Sequence, residues 1–388
     1  MSLRILHLNT LLTGGGTDDR SVRTACALMK LGHSVWLAGP AGEEFSNIAG
    51  ELGLPLLPLR MRGLKIRAIS ALAGLIRRHE IQIVHARHGR DYWPAILAAR
   101  ISGRRPVVVL SRHLAKSPSS WASRHFLLNQ CDAMAAVSEF VAKVLREGDS
   151  DPDSENLERH FRPPLQGDTS KIHVVYGGFD MERFQPSDAS AQRAEWGLAK
   201  DHFAFGVVGA YHAPRGKGQP EFLRAAAEVR KDLPQARFLI IGRGDMKEIL
   251  QKQIQELHLE EVARLTPYSH DMPSAMNALD CLVLPQVGTE AIPGVVLEAY
   301  ACGKPVIASD LDGIPEAVRV SELGQLVKPG SIPELADAMI ECAKRTPPDA
   351  AMRRALHDKV AEKFSLERAA LGLAALFENL AEKQRRRL

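Results

Sequence analysis

Residues 288–310 read GTEAIPGVVLEAYACGKPVIASD. A short apolar run, CLVLP at 281–285, precedes this stretch, and a second, PVIAS at 305–309, lies near its end. Between the runs is a segment of helical length, 293–302, opening on Pro293 and Gly294. Proline suits the first helical position because its missing N–H is not needed there. Strand, helix and strand in succession make a βαβ unit, and that unit implies neighbouring parallel strands in an open sheet.

The same alternation extends in both directions. RILHLN (4–9), SVWLAG (34–39), IQIVHAR (81–87), PVVVLSR (106–112) and AMAAVS (133–138) read as buried parallel strands, being largely β-branched and apolar. Helical segments fall near 18–31, 66–79, 91–101, 121–130 and 139–147. The pattern breaks at 147–171, a polar stretch rich in Pro, Gly, Ser and Asp that reads as a long loop or insertion. It restarts with strands HFAFGVVGA (202–210), ARFLIIG (236–242), CLVLP and PVIAS, and with helices near 217–232, 245–257, 271–279, 293–302 and 332–345. Residues 352–386 read as one closing helical segment. The expected fold class is α/β, with two Rossmann-like doubly wound domains. Their expected limits are 1–178 and 179–365, with 366–388 returning as a helix onto the first. Two such sheets are expected to face one another across a cleft lined by loops that follow strands.

At 388 residues the chain is too long for one ordinary core, which agrees with two domains. No apolar run is long enough to span a bilayer, and MSLRILHLNT enters a strand at once rather than a leader, so a cytoplasmic location is expected. The five cysteines are scattered without a CxxC pair and read as small core residues of a reducing compartment. Residues 1–147 carry 20 Lys and Arg against 10 Asp and Glu, a net of +10; the whole chain carries +4, which leaves −6 for the rest. A basic half suggests an anionic partner, whereas solvated arginines on helix faces are the plainer alternative. Aromatics make up only 5% of residues and are not interleaved with the basic ones, which argues against nucleic acid. No GxGxxG follows the first strand, so a dinucleotide dehydrogenase is not expected.

Glu290 and Glu298 are the unusual residues of the opening stretch. A helix N-terminus carrying Gly294 and Val295 offers free amides to a phosphate. Carboxylates accept hydrogen bonds from paired sugar hydroxyls. Together these features fit a sugar nucleotide; the plainer alternative is a capping Glu290 and a surface Glu298.

Glu290-Ala-Ile-Pro-Gly-Val-Val-Leu-Glu298, followed by AYACGKPVIASDLDGIPEAV, closely resembles the signature of the retaining glycosyltransferases of family 4, which have the GT-B fold. The resemblance implies that Glu290 contacts the transferred sugar and Glu298 the ribose hydroxyls. Further segments agree with the family: HLNTLLTGGGTDDRSVRTACALMKLGHSVWLAGP, whose Gly15 and Gly16 would let amides approach a phosphate or sugar, and IHVVYGGFDMERFQP, with Asp180 and Phe184 at the usual spacing. In VVGAYHAPRGKGQPEFLRA, Lys217-Gly218 matches the phosphate-gripping loop, but Ala210 stands where the family usually has arginine. Arg215 is the expected replacement cation, and with Lys217 it would neutralise a leaving diphosphate. His113 sits where the family often places a histidine beside the donor sugar. Tyr268, in TPYSHDM, is expected near the nucleotide base. His85, His88 and Arg112 are candidates for the acceptor side, where Arg87 and Arg90 also lie in reach of an anionic acceptor.

DLD at 310–312 matches a short metal-binding string of other glycosyltransferases, but here it lies inside the family-4 signature, where the family has no metal site. No metal and no cofactor are expected; the nucleotide-diphosphate sugar, a UDP-sugar foremost, is a co-substrate. The expected activity is retaining transfer of a hexose or heptose to a hydroxyl of a bacterial envelope glycan or lipid-linked acceptor. The basic first half, RMRGLKIR and the RRR tail suggest a peripheral position on an anionic membrane, as in lipopolysaccharide or polysaccharide assembly. The rival readings are a nucleotide-sugar epimerase on the same fold, which would consume donor without acceptor, and a non-catalytic nucleotide-sugar or nucleic-acid binding protein.

Overall fold

The computed structural model of the chain describes residues 1–12, 16–60, 65–148, 163–214, 216–266 and 271–386. These form two compact units. The first comprises the chain up to residue 148, residues 163–180 and residues 364–386; the second is residues 181–363. Most of the 147–171 segment lies outside the described residues.

The first unit holds a seven-stranded parallel sheet. Its strands are β1 (Arg4–Leu8), β2 (Ser34–Gly39), β3 (Leu56–Pro58), β4 (Ile83–Ala86), β5 (Val107–Arg112), β6 (Ala133–Ala136) and β7 (Ile172–Val174), in spatial order β3-β2-β1-β4-β5-β6-β7. The central strands β4, β5 and β6 are buried along their whole length, as continuous apolar runs covered on both faces must be. The order reverses between β1 and β4, and the register there pairs Leu8 with Ala86, so the residues that follow emerge side by side at the carboxyl edge.

The helix Leu366–Arg385 belongs to this unit and packs on the helix Gly16–Lys30. Its Leu373 and Phe377 enter one core cluster with Leu3, Ile5, Val22 and Leu37. Phe377 is fully buried, and burying a side chain of that size is worth about 2 kcal/mol. Backbone bonds from Phe179 N to Phe364 O (2.8 Å) and from Leu366 N to Phe179 O (3.1 Å) tie down the start of this helix. The closing segment holds two helices, Ala350–Phe364 and Leu366–Arg385. They are parted at Ser365, which is extended (φ −66°, ψ 158°) and whose side chain accepts from Arg368 N. A serine oxygen in that position satisfies an otherwise orphaned donor and starts a new helix.

The second unit holds six parallel strands: β8 (Phe203–Val208), β9 (Ala236–Ile241), β10 (Ala263–Thr266), β11 (Cys281–Leu284), β12 (Val306–Ser309) and β13 (Gly324–Val327). Their spatial order is β10-β9-β8-β11-β12-β13, with its reversal between β8 and β11. The core is aromatic at its centre, where Phe205 stacks on Phe238 with centroids 5.9 Å apart. The strand expectations omitted β3, β7, β10 and β13. All four lie at sheet edges, where partial exposure dilutes the apolar run that marks a buried strand. Among the described residues no helix is long and apolar enough to cross a membrane.

Candidate functional site

In the second unit the loops that follow β8 and β11 come together at the reversal of strand order. Gly218 caps the helix Gln219–Asp232 with φ +87°. A Cβ at Gly218 would stand 2.1 Å from Pro285 O, so only glycine lets the two loops touch there. That contact brings Lys217 to the signature: its Nζ lies 2.5 Å from Glu290 Oε2. The Lys217 N–H donates to Gln219 Oε1 at 2.7 Å. Both charged side chains are largely shielded, Glu290 at 15% and Lys217 at 31% exposure, which strengthens their attraction over that of a surface pair.

Glu290 is held at three further points. Its Oε1 accepts from Ala291 N at 3.1 Å, its own N–H donates to Asp312 Oδ2 at 3.3 Å, and its carbonyl accepts from Gly313 N at 3.0 Å. The DLD string thus has a place in the fold: Asp312 accepts a backbone N–H of the signature loop. Gly313 passes so close to that loop that a Cβ would stand 1.8 Å from Ala291 O.

The helix of the signature is Gly294–Ala301. It starts one residue later than expected, with Pro293 as an extended N-cap rather than the first helical residue. No side chain caps it, so Glu290 is not its cap. The amides of Gly294 and Val295 make no hydrogen bond among the described residues, whereas Val296 N donates to Pro293 O at 3.2 Å. Val296, Leu297, Ala299, Tyr300 and Ala301 are buried, and Tyr300 Oη donates to Val318 O at 2.8 Å. Glu298 is half-buried, as are Gly294 and Val295 at the start of the helix. Two charge-bearing groups and two open amides therefore share one short loop-helix junction. Arg215 and Tyr268 lie outside the described residues, as does Gly15.

In the first unit, Gly16 opens the helix Gly16–Lys30 and is exposed. His113 follows β5 and is half-buried; its Nε2 is sealed from solvent with no partner among the described residues. Burial, and then the Arg87 and Arg20 guanidiniums, hold its pKa well below the ordinary histidine value, so the ring is neutral. His88 Nε2 stands 3.2 Å from Asp18 Oδ1 and keeps part of its surface exposed.

Two acceptor-side expectations are corrected. His85 is 0% exposed, because β4 is covered on both faces. It packs edge-on to His7 with centroids 4.7 Å apart, and its Nε2 lies 2.7 Å from Ser111 Oγ. Burial holds its pKa well below normal, and it is a core residue. Arg112 is also buried; its Nε donates to Lys116 O at 2.8 Å and its Nη2 to the same oxygen, so it folds the loop after β5 instead of presenting its charge. The reading of the sequence passed over Asp312 and Gly313 as site supports. Their signal is a close backbone approach, which no spacing rule contains.

Residues 202–345 match the family model described as Glycosyl transferases group 1, and residues 14–154 match that of Glycosyltransferase Family 4. A D-inositol 3-phosphate glycosyltransferase of Mycobacteroides abscessus is 32% identical over 185 residues, 46% of this chain and 40% of that protein. The chain thus spans well under half the length of the curated relatives it matches. A glycosyltransferase structure from Rickettsia africae aligns over 98% of both chains with a TM-score of 0.81 at 18% identity. The Anabaena protein HepE, solved with UDP-glucose, aligns over 97% of this chain and 99% of its own, with a TM-score of 0.78 at 21% identity. At such identities the likeness establishes the fold, which is GT-B.

Proposed function

We propose an activity from one premise: this chain belongs to the group 1 glycosyltransferases of family 4. It transfers a hexosyl or heptosyl group, with retention, from a nucleotide-diphosphate sugar to a hydroxyl of an envelope glycan or lipid-linked acceptor. The observation that carries this is the Lys217–Glu290 pair beside the open amides of Gly294 and Val295, with Glu298 on the same helix. As the bond from the sugar C1 to the diphosphate breaks, negative charge grows on the departing phosphate oxygen. Lys217 and the two amides meet that charge, which is where stabilisation raises the rate. The acceptor hydroxyl forms the new bond at C1 and gives up its proton to the departing phosphate oxygen. Glu290 accepts hydroxyls of the transferred sugar, and Glu298 those of the ribose. The neutral His113 ring, in the first unit, can exchange a hydrogen bond with a sugar hydroxyl. No metal enters, since Lys217 supplies the cation. The UDP-glucose bound by HepE supports a UDP-sugar as donor.

Calorimetry with UDP in EDTA tests the donor site. Wild type is expected to bind, and Glu298→Ala to bind roughly 10- to 100-fold more weakly, the worth of charge-assisted bonds to a diol. Equal affinity in the variant would make both glutamates scaffold.

The acceptor's proposed setting is the inner face of the cytoplasmic membrane. Trp121 is 61% exposed, Leu114 53% and Phe126 43%, and the helix Trp121–Gln130 also carries Arg124. Apolar and aromatic side chains beside cations suit an anionic leaflet. At low salt the protein is expected to sediment with vesicles containing phosphatidylglycerol, and Trp121→Ser with Leu114→Ser to stay in solution. Wild type left in the supernatant removes the membrane from the proposal.

A further inference from the structure

An open cavity of about 680 Å³, the size of a small-metabolite pocket, lies in the second unit. Phe203 at the start of β8, Asp280 just before β11, Pro305 just before β12 and Leu323 just before β13 line it. It therefore sits at the amino edge of the sheet, whereas Lys217 and Glu290 lie on loops that follow strands at the carboxyl edge. Most charges on its wall are already engaged. Arg193 donates to Asp280 Oδ2 at 3.0 Å and to the carbonyls of Ala278 and His202 at 2.9 and 2.8 Å. Asp188 accepts from Ser190 Oγ at 2.7 Å, and Arg345 pairs with Glu341 at 2.6 Å. Lys200 and Asp201 are exposed and of opposite sign. Lys304 and Arg353 remain. Lys304 is 6% exposed. Its ammonium donates to Asn277 O at 2.7 Å and meets no carboxylate within ion-pair distance among the described residues. A buried cation is costly unless something pairs with it. Burial first, and then Arg353, bring the Lys304 ammonium down to about 8 against the opposing influence of Asp280, which still leaves it mostly charged at neutral pH. Arg353, on the helix Ala350–Phe364, is half-buried. Its Nε donates to Pro348 O at 2.9 Å, and its two Nη groups have no partner among the described residues. Gly303 sets the two cations side by side. It has φ +70°, and a Cβ there would stand 2.5 Å from Arg353 Cβ and Cγ, so only glycine lets that stem lie against the residue before Lys304.

We propose that Lys304 and Arg353 bind a small metabolite dianion, one that presents two negative charges on oxygen. Such a ligand supplies the counter-charge that both cations lack. Its oxygens take the open edge of the guanidinium as a fork and the ammonium as a point charge. Inorganic ions fill only part of the cavity, and the hydroxyls of Ser187 and Thr346 on its wall suit a polar ligand body. Gly303 and Lys304 lie just past the C-terminal end of the helix Gly294–Ala301, at the end away from its open amides. The ligand is thus an effector and not a substrate of the transfer. Only that contrast rests on the glycosyltransferase reading; the binding of a dianion stands without it.

The full chain is titrated by calorimetry with sodium sulfate and with sodium succinate at constant ionic strength, with and without saturating UDP. Wild type is expected to bind at least one of them, with UDP present or absent. Tighter sulfate marks a ligand with both charges on one head, and tighter succinate marks a dicarboxylate; both keep the site. Lys304→Met and Arg353→Met are each expected to bind the anion roughly 10-fold or more weakly, the worth of one charge-assisted hydrogen bond. Arg353→Met serves if Lys304→Met does not fold, because the Arg353 side chain holds only Pro348 O among the described residues. A lysine that merely ties down Asn277 O would change the melting point and leave anion affinity alone. Anion affinity unchanged in both variants, or no binding of either anion to wild type, overturns the proposal. Displacement of the anion by UDP places it at the signature loop and overturns a separate site. Failure of UDP to bind, with Lys304-dependent anion binding intact, sinks the proposed donor chemistry and leaves this site standing.

Discussion

Replacing Lys217 by alanine is expected to lower kcat/KM for sugar transfer by roughly 100- to 1,000-fold, the range found when one preorganised donor to a developing anion is removed. The lysine is placed with care. Its stem runs past Gly209, where a Cβ would stand 2.9 Å from Lys217 Cγ, and its ammonium ends 2.5 Å from Glu290 Oε2. Removing it leaves Glu290, at 15% exposure, without its counter-charge, and on the proposed mechanism also takes away the cation that meets the leaving diphosphate. The two losses share one interaction, so Glu290→Gln on top of Lys217→Ala should cost less than the sum of the single changes. Lys217→Arg should not restore the rate, because a planar fork does not follow the path of a slender stem past Gly209. Steady-state kinetics on variants of matched folded fraction provide the check. A purely structural ion pair would show lowered melting points with kcat intact, and that result would refute the role given to Lys217.

Gly313→Ala is expected to destabilise the second unit by about 3 kcal/mol, the upper end for an overpacked site. In a unit of this size that lowers Tm by roughly 6–12 °C. The added carbon would stand 1.8 Å from Ala291 O and 3.2 Å from Glu290 O, both of them backbone atoms that cannot rotate aside. One loop must move, and with it goes the bond from Gly313 N to Glu290 O that helps aim the glutamate. UDP affinity should therefore fall along with stability. Gly74→Ala is the control: it lies in the helix Lys65–Arg78 with nothing within 4 Å of the new carbon, so helix propensity should leave Tm level or raise it. Differential scanning calorimetry reads both variants, and equal melting points for Gly313→Ala and wild type would contradict the close approach.

Much of the architecture is written locally. The runs that became β4, β5 and β6 are apolar because parallel strands in a two-sided sheet meet no water, and that demand shows at each position. The signature stretch likewise carries its helix, its two glutamates and the likeness to a family in a single span. The edge strands β3, β7, β10 and β13 escaped because their half-exposed residues need not be apolar. His85 misled because a histidine after a β-branched run looks the same whether it faces a ligand or, as here, His7 and Phe377. Arg112 misled in the same way: its charge is visible in the sequence, but the carbonyl of Lys116 that occupies it is not. The sequence by itself determined the strand-helix alternation, the two α/β units and the residue types of the proposed donor site, since each follows from periodicity or from one contiguous motif. Only the tertiary structure decided that Lys217 meets Glu290 across 73 positions and that Asp312 and Gly313 hold that glutamate's backbone. Those relations depend on which loops the parallel register brings to the same sheet edge. That register is set by the packing of whole strands and not by any residue along one of them.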